Sequence, residues 1–269
     1  MTDIWMVTNS ASGSYDAERS AALAERLGVT RQFVLPEDML PTDKDAKGVQ
    51  RIILFAGDGT VSAAVEALSN WSGELLVLPG GTMNLLSRKL HGETGAEEIV
   101  ERVLSRKATI RKLPMTRGCG HRSLVGVIAG PTTAWGDVRE DMRNLDLRSL
   151  SESVPLALKE TLGGQLVSIK GRQGDYQAIF IDALDNSTGG TLQAQGVSAA
   201  NAGELAQHGL AWLSGNFLGG PSEILGKAKS FTIEGAQDVG LLVDGERAQA
   251  KGPCTFKLGH CPLRFLATA

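Results

Sequence analysis

The chain has 269 residues, 42% of them hydrophobic, enough for two domains with cores of their own. A formal net charge of -3 leaves no electrostatic footprint for nucleic acid, and no Lys/Arg cluster is dense enough to hold anionic lipid by charge alone. No run approaches the roughly 20 apolar residues of a membrane-spanning helix, so the sequence reads as a soluble protein without a transmembrane segment.

Up to about residue 110, strand and helix patterns alternate: strand 4–7, helix 16–27, strands 32–35 and 52–55, helix 61–68, strand 75–78 and helix 84–90. A further helix is expected from Thr94, whose spacing to Glu97 matches a capping box, with Ile99, Val100, Val103 and Leu104 on its apolar face. Beyond residue 113 the pattern changes to strand-like stretches at 124–128, 166–169, 178–181, 231–233, 241–243 and 255–258, interrupted by helical candidates at 154–162 and 204–213. The expected fold class is therefore α/β: an N-terminal doubly wound parallel-sheet domain over 1–113, to which 262–269 can return, and a mainly β, sandwich-like domain over 114–261. Cys119, Cys254 and Cys261 are odd in number and lack metal-ligand spacing, as do the dispersed histidines His91, His121, His208 and His260. That usage points to a reducing cytoplasm.

Two glycine turns stand out, Ala56-Gly57-Asp58-Gly59-Thr60 and Pro79-Gly80-Gly81-Thr82-Met83-Asn84, each directly behind an apolar strand pattern. Such turns lie at the carboxyl edge of a parallel sheet, where glycine permits positive φ and close backbone approach, and where helix-start amides face an anion. Asp58, between two glycines, has no evident packing role and is suited to orienting Mg2+, while Thr60 can donate to a phosphate oxygen. The plainer alternative is a strand-to-helix turn, with Asp58 or Thr60 capping a helix that starts at Val61. Val243-Asp244-Gly245-Glu246 likewise reads either as a site or as a hairpin turn.

Taken in order, Gly-Asp-Gly-Thr, Pro-Gly-Gly-Thr-Met-Asn and the later Asp244-Gly245-Glu246 segment, followed by strands at 255–258 and 263–266, resemble the diacylglycerol kinase catalytic domain family, which includes bacterial lipid kinases and sphingosine kinase relatives. Asn9 to Gly13 matches the family's Asn-Pro-x-Ser-Gly loop in part, with Ser10 in the place of proline and Ser14 where a basic residue often follows. The resemblance implies an ATP-dependent kinase with its nucleotide between the domains. Asn9, Ser12, Gly13, Gly57, Gly59 and Thr60 then lie near the phosphates, and Gly81, Thr82 and Asn84 complete the nucleotide site. It implies Asp244 as the general base toward a lipid hydroxyl, supported by Glu246, and Asp58 as the contact to nucleotide-bound Mg2+.

The lipid acceptor implied is diacylglycerol-like and met at a membrane surface by a cytoplasmic protein peripheral to the inner face; the sequence leaves a homodimer open. NAD kinases also use Gly-Asp-Gly-Thr, so a soluble nucleotide is an alternative acceptor, and a non-catalytic nucleotide- or lipid-binding protein is a third reading. Departures from the family pattern are Ala56 for the first glycine, Leu85 for an aspartate, and a Lys112-Leu113-Pro114-Met115 stretch without a carboxylate. In addition, Asn201-Ala202-Gly203 stands where relatives carry a metal-associated Asp-Asp-Gly. Arg88 and Lys89 can reach phosphates from the helix after Asn84, though basic residues on a helix are usually just solvated. Trp5, Trp71, Trp135 and Trp212 are too scattered for a stacking platform and are expected in packing.

Overall fold

A computed structural model describes residues 3–12, 14–130, 164–186, 189–198, 222–235 and 238–269. The expected helices at 154–162 and 204–213, and the Asn201-Ala202-Gly203 segment, lie outside these residues. The first part of the chain forms β1 (Ile4–Asn9), α1 (Ala17–Leu27), β2 (Arg31–Leu35), β3 (Arg51–Ala56), α2 (Asp58–Ala67), β4 (Glu74–Pro79), α3 (Leu85–His91), α4 (Ala96–Leu104) and β5 (Thr109–Arg111). Strands then follow as β6 (Pro114–Gly118), β7 (His121–Ser123), β8 (Val127–Ala129), β9 (Ser168–Ile169), β10 (Ala178–Leu184) and β11 (Thr191–Val197). After these come β12 (Ser222–Ala228), β13 (Ser230–Glu234), β14 (Asp238–Val243), β15 (Glu246–Lys251), β16 (Cys254–His260) and β17 (Arg264–Ala267).

Two compact units result, one built from Met1–Leu113 with His260–Ala269, the other from Pro114–Gly259. The first unit holds a sheet in the order β2-β1-β3-β4-β17-β5, parallel except where β17 meets β5. Its central strands are apolar along their length because both faces are covered: Ile52, Ile53, Leu54 and Phe55 are all buried. Met6, Ile53, Leu76, Leu23 from α1, Ile99 from α4 and Leu266 from β17 share one core. Helix α1 is bounded as its sequence dictates, with Asp16 accepting from the Arg19 amide at 3.0 Å and Gly28 closing the far end at φ 67°.

The second unit is a pair of sheets, β12-β11-β10-β8-β14-β15 and β7-β6-β16-β13-β9. Ile179, Leu192 and Leu241 from one and Phe231, Ile233 and Phe256 from the other bury against each other, which makes the unit a β-sandwich. The fold class is α/β with a largely β second unit.

Four local expectations are corrected. Helix α4 starts at Ala96 with Gly95 as its cap, and the Thr94–Glu97 capping box does not form. Instead, Thr94 Oγ1 donates to the His91 carbonyl at 2.8 Å and Glu97 is drawn to Arg19 at 2.6 Å. Helix α2 begins at Asp58, not Val61, so neither Asp58 nor Thr60 is its N-cap; Gly57 is. Within 124–128 only Val127 and Ile128 belong to β8, because the segment before them turns around a carboxylate described below. Finally, Cys119 and Cys254 are joined as a disulfide across 135 positions, with Cys261 buried outside that bond. The β6–β7 hairpin brings Cys119 beside β16, a neighbourhood that spacing along the chain does not reveal.

Candidate functional site

In the first unit β1 lies between β2 and β3, so the chain leaves β1 toward β2 and leaves β3 toward β4. Where neighbouring strands send their connections in opposite directions, a crevice opens outside their carboxyl ends, the usual ligand position of open α/β sheets. Three chain segments meet at this edge. Asn9, the last residue of β1, donates from Nδ2 to Thr60 Oγ1 at 2.9 Å, and its Oδ1 accepts from the Ala11 amide at 3.0 Å. Ser14 Oγ donates to the Gly80 carbonyl at 2.7 Å, with Ser12 Oγ at 3.5 Å from the same oxygen. Asp58 Oδ1 accepts from the Leu85 amide at 2.7 Å, tying the start of α2 to the start of α3. That bond gives Asp58 the packing role its sequence position did not suggest.

The glycines are required here for a reason other than positive φ. None of Gly57, Gly59, Gly80 and Gly81 has positive φ. A Cβ on Gly81 falls 2.5 Å from Gly57 Cα, and one on Gly80 falls 2.6 Å from the Ala56 nitrogen, so the two turns pack backbone against backbone. The left-handed residue of the pair is Asn84, at φ 51°, whose side chain brackets Gly81 by accepting from its N–H and donating to its C=O, both at 2.7 Å. Ala56 fits because its φ is not positive. Ser10 also has a physical account, since its amide donates to the Leu35 carbonyl at 2.7 Å, a bond proline lacks, while its hydroxyl meets Glu37 at 2.9 Å.

Among the described residues no side chain caps the amino end of α2. The first-turn amides of a ten-residue helix, with the positive end of its dipole, therefore face the same edge as Asn9 and Thr60, and Gly59 and Thr82 are exposed there. This arrangement can hold an anion such as a phosphate. Arg88 stands at the far turn of α3 and pairs with Glu93. Gly13 lies outside the described residues.

Asp244 and Glu246 belong to the second unit. Asp244 and Gly245, at φ 50° and 88°, form the two-residue turn between β14 and β15, the all-positive geometry of a type I′ hairpin. The hairpin reading of this segment is thus realised. Its carboxylate is also bound by four donors: Oδ1 accepts from Ser123 Oγ at 2.6 Å and from the amides of Val125 at 2.8 Å and Gly126 at 3.2 Å, and Oδ2 from the Leu124 amide at 3.1 Å. Ser123 and Glu37 are not marked by any pattern in the sequence; only their folded neighbours mark them. Glu246 is exposed at the start of β15.

Among the described residues no three Asp, Glu, His or Cys side chains gather to hold a metal ion. One carboxylate at the turns, Asp58, suits Mg2+ that arrives already bound to nucleotide phosphates, because Mg2+ keeps most of its shell in waters and phosphate oxygens.

A parallel-sheet unit and a β-sandwich unit together define the class of the fold, α/β with a largely β second unit. Residues 3–115 match the model of the diacylglycerol kinase catalytic domain. A solved structure described as a diacylglycerol kinase from Bacillus anthracis str. Sterne superposes at TM-score 0.66 with 17% identity, covering 98% of this chain and 96% of that one. Another from the same organism, described as a candidate diacylglycerol kinase, gives TM-score 0.64 with 16% identity over the same shares. At such identities these likenesses establish the fold. No curated protein matches the sequence. No helix among the described residues is long and apolar enough to cross a membrane.

Proposed function

We propose that this protein is an ATP-dependent lipid kinase that transfers the γ-phosphate of ATP to the hydroxyl of a diacylglycerol-like lipid. The observation that carries the reading is the convergence of Asn9, Thr60, the uncapped start of α2 and the paired glycine turns at the β1/β3 edge of a diacylglycerol kinase catalytic domain. Gly57, Gly59 and Thr60 contribute main-chain and hydroxyl donors to the triphosphate, and Asn9 with Asn84 keeps the turns in place. Asp58 would orient Mg2+ arriving with the nucleotide, and the ion would supply neutralisation of the phosphate charge. Asp244 accepts the proton of the lipid hydroxyl as that oxygen bonds to the γ-phosphorus and the bridging bond to ADP breaks. In this reading residues 1–113 serve the nucleotide and 114–261 the lipid, and the protein works at a membrane surface.

A second reading, a ligand-binding member without turnover, is favoured by the absence of a carboxylate from Lys112-Leu113-Pro114-Met115 and by Leu85 in the place of an aspartate. The test is transfer of labelled phosphate from ATP, with and without Mg2+, to micellar diacylglycerol, other lipid alcohols and NAD. Mg2+-dependent label in a lipid is expected. Label in NAD alone moves the acceptor to a soluble nucleotide, and nucleotide binding without transfer supports the second reading.

A further inference from the structure

We propose that Ser123 is a positioning residue for the Asp244 carboxylate, selecting Oδ2 as the oxygen that meets the acceptor hydroxyl; the inference rests on the kinase reading above. An ionised carboxylate only accepts hydrogen bonds and offers about two lone-pair directions on each oxygen. Oδ1 already takes three donors, from Ser123, Val125 and Gly126, and has no direction left. Oδ2 takes one among the described residues, from Leu124, and keeps a lone-pair direction for a second. Asp244 is only partly buried, so a reacting group can approach. The asymmetry makes the two oxygens unequal, and an unequal carboxylate presents a single basic atom in one direction.

Ser123 completes this asymmetry, adding a third donor to the oxygen that already takes the Val125 and Gly126 amides. The other three donors are successive backbone amides that accept either oxygen if the carboxylate turns about its Cβ–Cγ bond. Ser123 is the one side chain in the set, 2% exposed, and its hydroxyl makes the shortest bond of the four, at 2.6 Å. Its place is fixed by β7, where it lies opposite Thr116 of β6. A charge-assisted O–H bond of that length, from a buried and immobile donor, holds Oδ1 inward.

A merely structural Ser123 would staple the 124–126 loop and affect the protein whether or not residue 244 is a carboxylate. The two roles separate in a double-mutant cycle on the full chain, reading labelled phosphate transfer from ATP to dioleoylglycerol micelles, with thermal melts of each variant. Asp244→Asn is expected to lower kcat roughly 10²- to 10⁴-fold. Ser123→Ala is expected to lower kcat roughly 10-fold with KM for ATP within about twofold. The double variant should match Asp244→Asn within about twofold, because a residue that acts through Asp244 has nothing left to position. Ser123→Cys, a weaker donor of similar shape, should fall between wild type and Ser123→Ala, and takes its place in the cycle if the alanine variant fails to melt cooperatively. An impaired Asp244→Asn beside a Ser123→Ala that turns over like wild type, or a double variant reduced by the product of the singles, overturns the inference and leaves the kinase reading intact. A wild-type chain without transfer, or an Asp244→Asn of wild-type turnover, sinks the kinase reading and the inference with it.

Discussion

Single side chains in this protein are decided by partners far away in sequence, and His91 shows the consequence for stability. Burial holds its imidazole down at a pKa of about 4, against 6.5 in an open chain, with the charge of Arg102 acting in the same sense. The ring sits 1% exposed at the end of α3, with Nδ1 3.0 Å from Thr268 Oγ1. Between those two values the unfolded chain binds a proton that the folded one refuses, so stability rises with pH through the window. The contribution is complete above about pH 6.5 and is lost on acidification toward 4, at most about 3 kcal/mol. Urea denaturation at pH 7.5, 6 and 5 should show this loss, and a His91→Gln variant should show a flatter dependence; parallel curves for the two proteins would assign the acid sensitivity elsewhere. Asp244 makes the complementary point about legibility. Its Asp-Gly turn is plain in the sequence, yet its four donors come from residues 123–126, some 120 positions earlier, and no local pattern announces them.

At the level of elements, the strand–turn–helix units of the first half are legible because each carries its own punctuation: an apolar run, glycines, then a helix. What the sequence hides is why the glycines are there, since the contact that demands them joins turns 24 positions apart. That distinction yields a test at the two turns. A methyl on Gly81 must displace the Gly57 backbone, 2.5 Å away, so Gly81→Ala should cost about 1–3 kcal/mol, as overpacking does. A methyl on Gly57 meets Gly81 Cα at an ordinary 3.6 Å, and its φ of -75° suits alanine, so Gly57→Ala should stay within about 1 kcal/mol of wild type, the entropy gain offset by alanine's poorer standing at an N-cap. If the first turn grips phosphate through its amides, Gly57→Ala should nonetheless weaken ATP binding, by roughly tenfold, since the added methyl crowds the approach. Calorimetric titration of the two variants reads both effects, and wild-type ATP affinity in Gly57→Ala would leave the glycine with no duty toward a ligand.

The largest-scale feature is that the first unit is not continuous in sequence: β17 arrives from the far end of the chain and enters the sheet between β4, which it joins in parallel, and β5, which it joins antiparallel. The apolar run at 263–266 announces a strand, but nothing local says that it completes a sheet begun at residue 4. Its burial is thorough, with Phe265 at 0%, Leu266 at 5% and Ala267 at 1% exposure. Burying Phe and Leu side chains is worth about 1.5–3 kcal/mol each, and removing the strand also opens the edges of β4 and β5. Against a total of about 5–15 kcal/mol for an ordinary domain, that is a loss the first unit should not survive. Residues 114–259, by contrast, are continuous and have a core of their own. Deleting 260–269 should therefore abolish the cooperative transition of the α/β unit, and with it the ATP binding that the kinase proposal requires, while leaving a β-rich transition from the sandwich. Scanning calorimetry and far-ultraviolet circular dichroism of the truncated and full chains distinguish the two. A truncated protein that retains its helical signal and binds ATP would mean that β17 only borders the sheet, and that the anion edge formed by β1, β3 and β4 stands without it.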